Sequence, residues 1–233
     1  MRSREPSRGG VSADGTAVAG GVNLGGLLVA FRWTESGGLQ LLNRSAFSYA
    51  WDISADGSTV VGYYAGGSGA FRWRPDQNEF IDLGSLGGGV SVAFGVNDDG
   101  SAVFGWSRRP DGQYRAFIWT EAEGMRDLNE VFAEVVSDGS VLFNVRAVSQ
   151  DGRYLVGWGD RPNGRREAFV LDTWRFGAVR PGNCIDNDDL LAVVLAFGTP
   201  GTGYTRHEDI NKDGIVNNED LLIVLFNFGQ GCQ

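Results

Sequence analysis

Four copies of one turn divide the first three quarters of the chain into repeating units. The turn aspartates are spaced 42, 43 and 52 residues apart, at Asp14, Asp56, Asp99 and Asp151. A second glycine lies five residues after each turn glycine, at Gly20, Gly62, Gly105 and Gly157. An Ala-Phe pair then begins at Ala30, Ala70, Ala116 and Ala168. A period of this length indicates a repeat architecture, which constrains the fold more than any local propensity.

Each unit predicts four short antiparallel strands. One strand enters the turn, a second leaves it, the third contains the Ala-Phe pair, and a fourth follows. Asp-Gly between apolar runs is a strong hairpin signal because it tolerates the positive φ of tight turns. Four strands in about 45 residues match one blade of a β-propeller. We therefore predict an all-β, β-propeller-like repeat domain with four-stranded blades over residues 1–175 and no helix before residue 185. Its units start near Val11, Ile53, Val96 and Val148.

These units resemble the HAF-type extracellular repeat over roughly residues 10–174, with the glycine and Ala-Phe positions matching in every copy. The resemblance implies a secreted or surface protein. The opening segment MRSREPSRGG has no apolar core and is not a signal peptide. The first unit starts almost at its turn, and the last lacks a clear fourth strand. We expect an extracellular or cell-surface location and a truncated N-terminus, with a small closed ring as the alternative.

A second, shorter duplication occupies the last fifty residues. Residues 189–198 align with residues 220–229 at an offset of 31, and DINKDGIVNNED precedes the second helix. This 12-residue segment, the calcium loop, has oxygen ligands at positions 1, 3, 5, 9 and 12 and glycine at position 6. The spacing predicts a calcium site. The predicted ligands are Asp209, Asn211, Asp213, Ile215 through its carbonyl, Asn217 and Asp220.

Two departures from the common EF-hand pattern characterise this segment. Position 12 is Asp rather than Glu, and a turn-rich connector precedes the loop in place of a helix. A duplicated calcium loop followed by one helix resembles the type I dockerin domain, over about residues 178–233. The resemblance implies secretion, calcium-dependent folding and docking onto a cohesin-like or surface protein. We expect a small α module with an EF-hand-like calcium loop at residues 183–233, after a linker and degenerate first loop at residues 176–182.

The first copy of the loop has lost its metal ligands. Positions 1, 3 and 5 hold Ala178, Arg180 and Gly182, which offer no carboxylate. We therefore expect one calcium ion. The positions with which dockerins select a cohesin, often a hydroxyl pair, differ as well. They hold Asn187, Asp188, Asn218 and Glu219.

Both cysteines of the chain lie in this module, at Cys184 and Cys232. A bridge between them would close a loop of roughly 50 residues and stabilise the module by about 4 kcal/mol in the chain-entropy estimate. A secreted location favours this disulfide. Two free thiols in a reducing compartment are the alternative.

Composition restricts the function further. The net charge of −9 argues against nucleic acids and anionic membrane surfaces as partners. The longest apolar run, residues 190–197, is too short for membrane insertion.

The single histidine, His207, lies beside the calcium loop, which excludes histidine-based catalysis in the repeats. The turn aspartates recur in every unit and are interpreted as structural. We predict no catalytic residue, although a carboxylate pair could still hydrolyse glycosidic bonds. The non-repeated acids are Glu121, Glu123, Glu130 and Glu134.

The tryptophans indicate either packing or ligand binding. Trp33, Trp73 and Trp119 hold equivalent places and are predicted to fill the core. Trp51, Trp106 and Trp158 fit either a core position or an exposed sugar-binding position. We expect a secreted, non-catalytic binding or display protein that docks through its calcium-binding module. The alternative is a component of an extracellular polysaccharide-degrading system, with carbohydrate binding or O-glycosyl hydrolysis in the propeller.

Overall fold

The computed structural model describes residues 9–42, 47–78, 80–133, 135–149, 152–173, 185–199, 208–210 and 215–229. The chain divides into two compact units, Met1–Val170 and Leu171–Gln233.

Four antiparallel sheets follow one another along the chain, one for each repeat. Sheet 1 contains β1 (Ala17–Leu24), β2 (Leu27–Thr34) and β3 (Gly38–Leu41). Sheet 2 contains β4 (Ser48–Ile53), β5 (Val60–Tyr64), β6 (Ala70–Trp73) and β7 (Phe80–Asp82). Sheet 3 contains β8 (Ser91–Val96), β9 (Ala102–Arg108), β10 (Tyr114–Thr120) and β11 (Gly124–Asp127). Sheet 4 contains β12 (Val141–Val148), β13 (Tyr154–Asp160) and β14 (Arg166–Asp172).

The four-stranded unit is confirmed in sheets 2 and 3, where neighbours in the sheet are neighbours in the chain. Sheet 1 has three strands, and an isolated bridge between Val11 and Val18 occupies the place of its first strand. Sheet 4 also has three strands, and the segment that follows β14 lies largely outside the described residues.

The first three Asp-Gly turns form as predicted, and their aspartates stabilise them, while Asp151 of the fourth lies outside the described residues. The Oδ1 atoms of Asp14, Asp56 and Asp99 each accept a hydrogen bond of 2.9 Å from the amide two residues further on. The glycines adopt positive φ, which a residue without Cβ tolerates best, with values of 73°, 69°, 71° and 78° at Gly15, Gly57, Gly100 and Gly152. Neighbouring turns are also bonded directly, since the Ala13 amide donates to the Ala55 carbonyl at 2.9 Å.

Apolar clusters fill the space between consecutive sheets. Trp73 is fully buried in a cluster that contains alanines of sheet 1, and Trp119 is 7% exposed in a cluster between sheets 2 and 3. The core prediction is wrong for Trp33, which is 38% exposed. Side chains alternate along a strand, so Trp33 lies on the opposite face of β2 from Ala30, which packs against sheet 2. No described sheet covers that face.

One short helix was not expected from the sequence. Helix α1 (Leu128–Val131) follows β11 directly, which corrects the prediction of no helix before residue 185. Asp127 caps it by accepting a 2.9 Å hydrogen bond from the Asn129 amide, as N-terminal Asp commonly does.

The second unit contains the two predicted helices, α2 (Asn187–Ala196) and α3 (Asn218–Asn227). They pack on each other around a core whose buried members are Ile185, Val193, Ala196, Val216 and Val224. In the described residues, no helix is both long and apolar enough to cross a membrane.

Candidate functional site

The ends of the predicted calcium loop are close together in the structure. The Ile210 amide, at loop position 2, donates to Oδ1 of Asp220, at position 12, over 2.6 Å. Asp209 and Asp220 are both buried, with 4% and 0% of their surfaces exposed. Buried carboxylates at both ends of the loop are of the hard oxygen type that calcium requires as ligands.

Two further predicted ligands, Asn217 and Ile215, are also described. Asn217 is the N-cap of α3, and its amide donates to Oδ2 of Asp220 at 2.9 Å. Ile215, the predicted carbonyl ligand, is 46% exposed. Asn211 and Asp213 lie outside the described residues, as do Cys184, Cys232 and His207. The structure describes no group of three or more acidic, Cys or His side chains around one metal position, and it describes only four of the six predicted ligands.

The duplication seen in the sequence is also present in the hydrogen bonds of this unit. The Gly198 amide, after α2, donates to the Val216 carbonyl at 2.8 Å, and the Gly229 amide, after α3, donates to the Ile185 carbonyl at 2.7 Å. Each partner is displaced by 31 residues from its counterpart. The end of each helix is therefore bonded to the loop that precedes the other helix, which makes the two copies mutually dependent.

The first copy retains the buried acid at position 12. Asp189 is 2% exposed, and its Oδ2 accepts a 3.0 Å hydrogen bond from the Asp186 amide. Asp220 makes the equivalent bond, so both acids belong to capping boxes. The two copies of the loop therefore start their helices with the same capping box, but they differ in the residues available for metal binding.

A second candidate site lies on β4, β8 and β12, the first strands of sheets 2, 3 and 4. Strands β4 and β8 each contain one register shift, with Trp51 and Phe94 as the extra residues, and β12 contains two, with Phe143 and Arg146 as the extra residues. The rings of Trp51 and Phe94 have centroids 5.1 Å apart, and the Arg146 guanidinium carbon lies 4.1 Å from the Phe94 centroid. Bulges redirect side chains and are frequent beside functional sites. We call Trp51, Phe94 and Arg146 together with Trp158 the aromatic–arginine cluster.

The cluster is accessible. Trp51 and Trp158 are 38% and 40% exposed, and the guanidinium carbon of Arg146 lies 5.9 and 5.7 Å from their rings. The sequence indicated Trp51 and Trp158 but not Phe94 or Arg146. A signal was present, because Trp51, Phe94 and Arg146 all lie five positions before a turn aspartate.

Asp52, which follows Trp51, joins sheets 2 and 3. Its Oδ2 accepts a 3.1 Å hydrogen bond from the Val96 amide, and its Oδ1 accepts one of 2.9 Å from the Ile53 amide. Desolvation by burial raises the pKa of this carboxyl to about 6, against the lowering effect of both hydrogen bonds. Asp52 therefore links sheets 2 and 3, and it does not belong to a pair of carboxylates in the described residues.

The described non-repeated acids form ion pairs with arginines. Glu121 pairs with Arg72 at 3.2 Å, Glu130 pairs with Arg109 at 3.3 Å, and Glu123 pairs with Arg126. Glu134 lies outside the described residues. These contacts give the described acids a structural explanation.

The sheets and their order define a mostly β, β-propeller-like protein. No family model matches the chain, and no match to a curated protein was found. TolB from Acinetobacter baumannii has a similar structure, with a TM-score of 0.51, 13% identity, and coverage of 74% of this chain and 42% of that one.

Two further solved structures show weaker similarity. A prolyl endopeptidase has a TM-score of 0.49 and 13% identity, covering 73% of this chain and 28% of that one. TolB from Agrobacterium tumefaciens has a TM-score of 0.44 and 17% identity, covering 75% and 64%. The chain thus spans less than two thirds of each of these proteins. At these identities the similarity concerns the fold alone.

Proposed function

We propose that the chain is an extracellular, non-catalytic binding protein whose C-terminal dockerin-like module binds one calcium ion and docks onto a cohesin-like or surface protein. The observation that carries the proposal is the duplicated module, in which Gly198 and Gly229 bond reciprocally to Val216 and Ile185. Beside this framework, Asp209 and Asp220 are buried at the two ends of one 12-residue loop.

Calcium would draw together the oxygens of this loop. Asp209 and Asp220 would supply carboxylates, Ile215 its carbonyl, and Asn217 a side-chain oxygen or a bridging water. Asn211 and Asp213 would complete the shell according to the sequence. The first loop would remain without metal, and a Cys184–Cys232 disulfide would stabilise that half of the module in an extracellular location.

A duplicated apolar surface supports docking to a protein. Four pairs of residues on α2, α3 and their C-terminal caps, each 31 positions apart, are exposed to nearly equal extents. They are Leu191 and Leu222 (50% and 46%), Val194 and Leu225 (49% and 47%), Leu195 and Phe226 (75% and 80%), and Phe197 and Phe228 (46% and 45%). Exposed apolar residues grouped in this way are typical of protein interaction surfaces. A partner would therefore cover one helix face or both.

Paired substitutions in the two capping boxes test the calcium proposal. Asp220→Asn and Asp189→Asn each replace one carboxylate oxygen of a capping acid with an amide NH2 and remove its negative charge, but only the first change falls on a predicted calcium ligand. We expect calcium to raise the melting temperature of the wild type and of Asp189→Asn over that measured in EDTA, and to leave Asp220→Asn unchanged. Equal calcium responses in both variants would contradict the assignment of the site to the second loop.

A second candidate function is carbohydrate binding by the repeat domain. The observation that favours it is the convergence of exposed Trp51 and Trp158 on Phe94 and Arg146. Flat aromatic faces stack on sugar rings. Trp33 provides a matched control, because it is also 38% exposed and lies on another sheet. We expect Trp51→Ala to weaken binding of a hexasaccharide at least tenfold and Trp33→Ala to leave it unchanged. Equal losses of affinity in both variants would contradict sugar binding at the aromatic–arginine cluster.

A further inference from the structure

Trp51, Phe94 and Arg146 are of different residue types, but they hold the same position in their repeats. Each of the three lies between two paired residues of the first strand of a sheet, five positions before the turn aspartate. In the first repeat the same position is Gly9, which has no side chain. The scaffold therefore presents three different side chains from equivalent backbone sites, and their chemistry depends on the residue type alone.

Arg146 is the cation of this group, and it is exposed. Among the described residues, no acidic side chain forms an ion pair with it, whereas Arg72, Arg109, Arg161, Arg165 and Arg166 each have one. Its guanidinium lies over the Phe94 ring at 4.1 Å. A stacked guanidinium keeps its N–H donors at the edge of its plane, where they can bind a carboxylate or sulfate.

Two aromatic rings flank this cation. The Trp158 and Trp51 centroids lie 5.7 and 5.9 Å from the guanidinium carbon, and both rings are partly exposed. An apolar ring face beside an unpaired cation suits a ligand that combines a sugar ring with a negative charge. Repulsion from the net charge of −9 is screened beyond about 8 Å at physiological ionic strength, so the local cation governs the contact.

We propose that the aromatic–arginine cluster binds an anionic glycan, with a sugar ring against Trp51 or Trp158 and its carboxylate or sulfate on the Arg146 guanidinium. This inference rests on the carbohydrate-binding proposal and specifies the class of sugar. Carboxylated and sulfated glycans share the required chemistry.

Calorimetric titration of the full chain with three hexasaccharides tests the inference. An alginate hexasaccharide supplies carboxylates, a carrageenan hexasaccharide supplies sulfates, and cellohexaose is neutral. We expect at least one anionic probe to bind at least tenfold more tightly than cellohexaose. The probe that does so identifies the charged group.

Arg146→Gln should lower the affinity for that anionic probe at least tenfold and remove most of its preference over cellohexaose. Arg166→Gln is the matched control, since it removes one exposed positive charge from the same sheet, and it should bind like the wild type. If Arg146→Gln fails to fold, Arg146→Lys replaces it, with an expected loss of affinity for the anionic probe because an ammonium cannot form the bidentate contact.

The outcomes separate the two proposals. Equal affinities for charged and neutral probes, or a wild-type response from Arg146→Gln, would overturn this inference and leave carbohydrate binding in place. Absence of binding by all three probes would overturn both.

Discussion

The guanidinium of Arg72 in sheet 2 lies over the ring of Trp119 in sheet 3, with its carbon 4.9 Å from the ring centroid. Arg72 is 2% exposed, and its ion-pair partner Glu121 is at the surface. Its Nε has no hydrogen-bond partner, so part of the guanidinium is buried without compensation. The contact therefore stabilises the sheet interface mainly through packing.

Substitutions at Arg72 should separate packing from charge. Arg72→Ala leaves a cavity between sheets and should lower the free energy of unfolding by about 3 kcal/mol. Arg72→Met keeps most of the volume and removes the buried charge, so it should stay within about 1 kcal/mol of the wild type. Urea unfolding followed by tryptophan fluorescence measures both. Equal losses in the two variants would show that the charge, rather than the packing, stabilises the interface.

In repeats 2, 3 and 4 the second glycine is required by close approach of the neighbouring strand. A Cβ on Gly105 would lie 2.0 Å from the Val92 carbonyl oxygen, and a Cβ on Gly62 would lie 2.0 Å from that of Tyr49. Gly105→Ala should therefore lower the free energy of unfolding by about 3 kcal/mol.

Gly124→Ala is the control for that substitution. Gly124 has φ of 70° and no atom within 4 Å of a built Cβ, so only backbone strain of about 1 kcal/mol is expected. Chemical denaturation of both variants compares the two effects. A smaller loss at Gly105 than at Gly124 would contradict the steric explanation.

Asp52 should make stability depend on pH. Its folded pKa of about 6 lies above the ordinary 3.8, so the folded state holds the proton more tightly than the unfolded state. The stabilisation is therefore complete below pH 3.8 and is lost as the pH rises through about 6. Between pH 4 and 7.5 the wild type should lose up to about 3 kcal/mol relative to Asp52→Asn. If the unfolding free energies of the wild type and of Asp52→Asn changed in parallel with pH, the raised pKa of Asp52 would be contradicted.

Repetition made most of the fold predictable. The Asp-Gly turns predicted the hairpins, and the Ala-Phe segments predicted β6 and β10, because local signals and period agreed. Trp33 was assigned wrongly, since equivalence in sequence does not show whether a neighbouring sheet covers a given face. Helix α1 is a single turn, too short to produce a periodic pattern.

The two candidate sites differ in how far sequence could reveal them. A calcium loop is a local motif, so its ligands were identifiable from spacing alone. The aromatic–arginine cluster depends on bulges in three separate strands, which bring together residues about 45 positions apart, the length of one blade. Aligning the repeats on their turn aspartates would have indicated Phe94 and Arg146, but not the distances between them.

The number of calcium ions bound by the chain is the most direct test of the proposed dockerin-like module. Calorimetric titration of the calcium-depleted, oxidised full chain should give one ion per molecule, and the Asp209→Ala, Asp220→Ala double variant should give none. Two ions would contradict the loss of the first site. No calcium uptake by the wild type would contradict the dockerin-like function, leaving a duplicated helical module of another purpose.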